Sequence, residues 1–258
     1  MKDRPLYKHD MPLFDRIDLP AALGLLTRLP VIVDGDRASA RGAAAAWAYP
    51  LVGVITGVIL AAAAALLGWV GLPSGIVAGL VLALSVILTG AMHEDGLADA
   101  ADGLWGGWDR ARRLEIMKDS HIGVYGVCAI ALSLLLRWLA LVVIISVGAY
   151  WVAFMAAGAL SRGAMVVLMA TLQNARGAGL SKNVGRPPTA AAWLAVSIAV
   201  VVAVLCGYPL LTIFAALATV GCGFIAHAKI GGQTGDILGA TQQVTEITTL
   251  LALVVMLT

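Results

Sequence analysis

From residue 42 onward, long apolar runs alternate with short polar windows. The runs cover 43–69, 75–93, 123–147, 149–171, 190–207, 209–228 and 237–257. A hydrocarbon core of about 30 Å takes about 20 helical residues to cross, so each run predicts a transmembrane helix. Three connections are tight and marked by glycine or proline: Gly71-Leu72-Pro73, Gly148 and Gly207-Tyr208-Pro209. The remaining segments, 1–41, 94–122, 172–189 and 229–236, hold fifteen of the seventeen Lys and Arg residues, and the tight hairpins hold none. Cationic loops stay in the cytoplasm. The expected fold is therefore all-α, a polytopic bundle of about seven spans with a cytoplasmic N-terminus and every polar window on that side.

The segment before the first span has mixed charge, with six aspartates set against Lys2, Arg4, Lys8, Arg16, Arg28, Arg37 and Arg41. Within it, residues 17–33 are apolar but too short, and too broken by Pro20 and Pro30, to span. They fit either an interfacial helix or an arm packed on the bundle. The expected organisation is this N-terminal segment, 1–41, followed by one transmembrane catalytic domain, 42–258. No secretory signal pattern precedes it.

Composition agrees: 60% of residues are hydrophobic and 12% charged, against roughly a quarter charged in soluble domains. A net charge of +2 without a basic, aromatic-studded tract excludes a nucleic-acid partner. Cys128, Cys206 and Cys222 each lie in an apolar run, at spacings that match neither a metal site nor a disulfide framework.

The charge balance changes sharply at His93–Gly126, which contains seven of the fifteen acidic residues. At about 100° per residue, Asp95, Asp99 and Asp102 fall within roughly 60° of one another on a helix. Such a face is either solvated or holds a cation, because three close anions repel. Delivered directly from an apolar span, and beside Gly96, Gly103, Gly106 and Gly107 that admit a ligand to the backbone, it points to a hard divalent cation such as Mg²⁺ completed by substrate phosphates. His93 reads as a structural hydrogen-bonding residue. Trp105 and Trp108 read as interfacial anchors.

Two cations lie inside spans and need partners. Arg137 reads as half of an internal ion pair, with Glu246 a candidate partner, whereas Arg162 reads as a contact to substrate or carboxylate. The Gly-rich loop 173–189 offers Arg176, Lys182 and Arg186 to an anion, or simply sets topology. At the mouth of the last run stand Thr234, Gly235 and Asp236, with Gln242, Gln243 and Glu246 continuing a polar stripe. Asp236 is a fourth acidic ligand, the N-cap of the last helix, or both.

Taken in order, FDRIDLPAALGLLTRLPV, TGAMHEDGLADAADGLWGGWDRARRLEIMKDSHIGVYG, ALSRGAM and GGQTGDILGATQQVTE closely resemble the cobalamin synthase family. The match runs nearly the whole chain. It implies a membrane transferase that joins adenosylcobinamide-GDP to alpha-ribazole, or to its 5′-phosphate, with release of GMP and a need for Mg²⁺. It also implies residence in a bacterial or archaeal cytoplasmic (inner) membrane, with the active site facing the cytoplasm. Carried over, the acidic block is Asp95, Asp99 and Asp102, the basic turn Lys118 and Asp119, and the glycine block Gly235 and Asp236. Asp119, or a triad carboxylate not committed to metal, is the expected proton acceptor. Lys118 and Arg162 are the expected phosphate contacts, with Lys182 from the Gly-rich loop. Two positions depart from the family pattern: Glu94 stands in place of an apolar residue, its carboxylate pointing away from the triad, and His121 in place of Arg, which weakens any phosphate contact there. The expected partners are both substrates and membrane lipid, with self-association into a homo-oligomer left open.

Other classes fit less well. A CDP-alcohol phosphotransferase wants an Ala-Arg pair soon after its Asp-Gly, where this chain has Leu97-Ala98-Asp99. A prenyltransferase wants an Asn-Asp start that is missing. A transporter would use Arg137, Arg162 and Glu246 as a path, but no internal repeat supports it.

Overall fold

A computed structural model describes residues 12–258, so the first eleven residues of the N-terminal segment lie outside the described residues. Twelve α-helices follow one another: α1 (Asp18–Leu26), α2 (Gly35–Arg41), α3 (Tyr49–Trp69), α4 (Ser74–Thr89), α5 (Met92–Gly106), α6 (Arg110–Ile116), α7 (Val124–Ser146), α8 (Tyr150–Thr171), α9 (Leu180–Val184), α10 (Thr189–Leu205), α11 (Leu211–Ile230) and α12 (Gly235–Leu257). A 3-10 segment, Gly42–Ala48, joins α2 to α3. The all-α expectation holds. Among the described residues, five helical stretches are long and apolar enough to cross a bilayer: Gly35–Trp69, α7, α8, α11 and α12. The α4–α5 pair makes a sixth if its two helices count as one span, and the apolar α10 has only 17 residues. The outer faces of these helices expose large apolar side chains such as Leu66, Ile87, Leu132, Leu217 and Val255, as lipid contact requires. Cys128 is exposed on α7, and Cys206 and Cys222 are half-buried, all three unpaired.

The span predicted over 75–93 ends early. Gly90 and Ala91 both take left-handed backbone, with φ of 63° and 58°, and α5 departs from α4 at an angle of 86°. An L-residue in this region costs about 1–2 kcal/mol. The acidic helix therefore turns aside and does not continue the span. The arm that follows α1 holds this corner, since the Arg28 N–H donates to the Leu88 carbonyl at the end of α4 at 2.7 Å.

Residues 17–33 form a packing arm. Ala22 and Leu26 of α1 join a core with Ala46, Tyr49 and Val166. Asp18, fully buried, accepts from Arg41 Nε and Nη2 at 2.6 Å each and from Trp47 Nε1 at 2.8 Å. A bidentate pair with a third donor satisfies most of this buried carboxylate's acceptor capacity.

In the bundle, α3 crosses α8 backbone to backbone. A Cβ added at Gly53 would overlap the Gly158 carbonyl, and one at Gly57 would lie 2.6 Å from the Phe154 carbonyl oxygen. Without a hydrophobic drive between helices in lipid, such small-residue contacts supply much of the association. Gly53→Leu is expected to lower the melting temperature in detergent clearly. Gly68→Leu, on the same helix with open space around it, is expected to leave it unchanged.

Candidate active site

Glycine places the acidic helix. Gly96 of α5 packs on Gly239 of α12, where a Cβ at Gly96 would lie 3.0 Å from the Asp236 carbonyl oxygen and 3.2 Å from the Gly239 Cα. The close approach sets Asp95 and Asp99 beside Asp236, three carboxylates from two helices. Gly96 thus admits a neighbouring helix where the sequence suggested a ligand. Gly103 and Gly107 likewise make room for Met117 and Arg113 of the α6 region.

Asp99 lies in the polar window, beyond the bend. Burial pushes its carboxyl up to about 7, helped by the neighbouring Asp95 and Asp236 charges and, more weakly, Asp102, and opposed by Arg176. Asp102 serves another purpose. Its Oδ2 accepts from the Gly123 N–H at 2.7 Å and its Oδ1 from the Gly126 N–H at 2.9 Å, so both oxygens tie the N-terminus of α7 to α5. Among the described residues, no three carboxylate, imidazole or thiol groups are arranged to hold an ion by themselves. The expected four-carboxylate cage is thus replaced by a looser convergence of three.

Cations meet these acids from the loop after α8. Arg176 Nη2 lies 2.8 Å from Asp236 Oδ2. Its loop is fastened down: the Ala175 N–H donates to the Gln233 carbonyl, and the Gln233 N–H to the Gln173 carbonyl, both at 2.8 Å. Ser181 Oγ donates to Gln233 Oε1 at 2.7 Å. Asp95, Asp236, Arg176, Lys182 and Gly235 together line one hollow of about 200 Å³. Asp236 is not the cap of α12, because Thr234 holds that position and accepts from the Ile237 N–H at 3.3 Å.

The basic turn stands apart from this hollow. Lys118 is exposed and shares a neighbouring depression with Arg176. Asp119 accepts from the His121 N–H at 3.1 Å and pairs with His121 Nδ1 at 2.7 Å. These bonds hold the Asp119 carboxyl below the usual carboxylate range, which makes it a poorer base. Trp105 and Trp108 are exposed, with Lys229 Nζ 4.8 Å from the Trp105 ring centroid.

Below the hollow lies a buried ionic network. Arg137 pairs with Glu94 at 2.9 Å and with Glu246 at 3.5 Å, and Arg162 pairs with Glu246 at 3.4 Å. Gln242 and Gln243 bond to Glu246 and Glu94 respectively. Arg162 is therefore a carboxylate partner inside the bundle and does not line the acid-walled hollow. Glu94 points away from the other acids, as expected. His93, 1% exposed, borders both the network and the hollow, and its Nε2 has no hydrogen-bond partner among the described residues.

Residues 18–254 match the family described as Cobalamin-5-phosphate synthase. The chain belongs to the cobalamin-5-phosphate synthase family. It is 42% identical to the adenosylcobinamide-GDP ribazoletransferase of Bradyrhizobium diazoefficiens, covering 91% of this chain and 92% of that protein. It is 43% identical to the protein of the same name from Mesorhizobium japonicum, with 91% of each covered. With the protein from Azorhizobium caulinodans, also so named, identity is 40% over 92% of this chain and 95% of the relative. No solved structure matches. Membership makes the chain a transferase of late cobalamin synthesis, and its long apolar helices are those of an integral membrane protein.

In this cobalamin-5-phosphate synthase family chain, Arg176 is the residue most under-weighted by sequence. It sat among three cations of a Gly-rich loop, and only folding shows which of them reaches Asp236. The raised Asp99 carboxyl has a measurable sign. The folded protein holds this proton up to about pH 7, whereas an unfolded aspartate releases it near its ordinary value of 3.8. Metal-free stability should therefore fall as pH rises between those values and level off above. Asp99→Asn is expected to remove this decline, raising the melting temperature at pH 7.5 more than at pH 5.

Proposed function

We propose that the chain transfers the adenosylcobinamide-phosphate moiety of adenosylcobinamide-GDP to the 3′-hydroxyl of alpha-ribazole or alpha-ribazole 5′-phosphate. The products are GMP and adenosylcobalamin or its 5′-phosphate. The observation that carries this reading is one hollow in which Asp95 and Asp236 meet Arg176 and Lys182, with Asp99 alongside. The names of the relatives supply the substrate class. A phosphoryl centre needs its attacker and leaving group held in line and its charge neutralised, and this set of side chains can do both.

The donors suit Mg²⁺, which is commonly held by one or two carboxylates plus substrate phosphates and water. Asp95 and Asp236, which face the same hollow, are assigned to hold it. Bound there, the ion would neutralise the diphosphate and orient it. Arg176 and Lys182 are assigned to the remaining phosphate oxygens, with Lys118 next to Arg176 at the rim. The new bond joins the ribose 3′-oxygen to the phosphorus on the cobinamide arm. The bond from that phosphorus to the bridging oxygen breaks, and its electrons leave on GMP. Asp99, not among the residues assigned to the metal, is assigned to take the hydroxyl proton. Asp102 is left to anchor α7, and Asp119 and His121 form a turn at the edge. We place the protein in a cytoplasmic membrane with seven spans, α10 among them, and the amino terminus inside, where phosphorylated substrates occur.

The test is GMP release by the purified chain in lipid. Release should require both substrates and Mg²⁺. Asp95→Ala and Asp236→Ala should lower it by about 100-fold or more while the protein still melts cooperatively, and Asp102→Ala should mainly lower the melting temperature. Undiminished release after chelation would reject the metal assignment. Asp99→Asn should abolish the rise of kcat/KM with pH, and an unchanged profile would remove Asp99 as the base.

A further inference from the structure

The hollow has a lining of mixed character. Besides the carboxylates and cations, it has an apolar part made by Leu25 of α1, Tyr49 of α3, Met165 and Met169 of α8, and Leu180 and Val184 of α9. Leu25, Tyr49, Leu180 and Val184 also border a second hollow, of about 310 Å³, between α1, the 3-10 segment and α9. The apolar part therefore extends beneath the arm.

We infer that this apolar part seats the dimethylbenzimidazole base of alpha-ribazole, with the corrin ring and the guanine of the other substrate lying outside. The inference rests on the proposed reaction and names the place of its smaller substrate.

Polarity decides against the corrin, whose macrocycle is fringed with amide side chains that this apolar lining would leave unmatched. Chemistry decides between the two bases that remain. Guanine has donors and acceptors along its edges, and these would be left unmatched among thioethers and alkyl groups. Each such buried polar group costs about 1–3 kcal/mol. Dimethylbenzimidazole presents a flat ring, two methyls and a single free acceptor nitrogen. Thioethers pack well on such rings and adapt to their outline. Tyr49 supplies the matching donor. It is 3% exposed and borders both hollows. With the base held there, the ribose lies between the apolar wall and the carboxylates, so its 3′-hydroxyl is directed at the phosphoryl centre.

The test uses the full chain in lipid nanodiscs, with GMP release measured against each substrate separately. Tyr49→Phe should raise the KM for alpha-ribazole by about tenfold and leave that for adenosylcobinamide-GDP unchanged. Met169→Trp should fill the seat and shift preference from alpha-ribazole to the smaller imidazole alpha-riboside. If Met169→Trp does not fold, Met169→Ala replaces it and should raise only the alpha-ribazole KM. A rise confined to adenosylcobinamide-GDP would give the seat to guanosine and overturn the inference. Equilibrium binding of radiolabelled alpha-ribazole alone separates this inference from the reaction itself. If wild-type chain releases no GMP, retention of the label by wild type and its loss in Tyr49→Phe would still support the seat, and no retention would overturn it.

Discussion

Two arginines and two glutamates buried between helices hold the rest in place. A charge far from water in a bundle must be paired: Arg137, 2% exposed, pairs with Glu94 and Glu246, and Arg162 shares Glu246 with it. Removing one member of such a set leaves an uncompensated charge at a cost of about 3–5 kcal/mol. The four residues come from α5, α7, α8 and α12, so satisfying them fixes four helices at once. Two of those helices carry the site's carboxylates. The network thus sets the depth and rotation of α5 and α12 from below, and the Gly96–Gly239 contact sets their separation from above.

The acidic window divides its labour accordingly. Glu94 faces inward to Arg137, Asp102 reaches the first amides of α7, and Asp95 and Asp99 remain for the site. Asp102 and Glu94 both act on α7, one at its N-terminus and one at Arg137 in its middle. The same short helix that presents Asp95 and Asp99 therefore also clamps the span behind them. A carboxylate at a helix N-terminus gains from two orphan N–H groups and from the dipole. That gain explains why an acid so near Asp95 and Asp99 is better placed as an anchor.

Much of this was legible in the sequence, because bilayer thickness acts locally on every span. Run lengths predict the helical bundle, and the rule that buried charges find partners predicts the Arg137–Glu246 contact. The bend at Gly90–Ala91 was hidden, since the left-handed pair is held by the arm through Arg28, sixty residues earlier in the chain. Helical arithmetic puts Asp102 on one face with Asp95 and Asp99. It could not say that Gly123 and Gly126 would arrive at that face and take both oxygens. The glycines were read as openings for a ligand, yet the structure closes several with neighbouring chain, because lone spacing carries no record of which backbone comes close. Arg176 was similarly ambiguous among the three cations of its loop.

That loop shows how the site is prepared before substrate enters. Arg176 neutralises Asp236 in the free protein, and the backbone bonds between Ala175, Gln173 and Gln233 hold it there. An arginine on a free loop would lose its conformational freedom when it bound a phosphate, reducing the affinity gained. Here much of that ordering has already happened on folding. The pairing also keeps three neighbouring carboxylates from repelling one another unchecked while no cation or diphosphate is present. Arg176 thus stays in the hollow that Asp95, Lys182 and Asp236 also line, with its position set by folding.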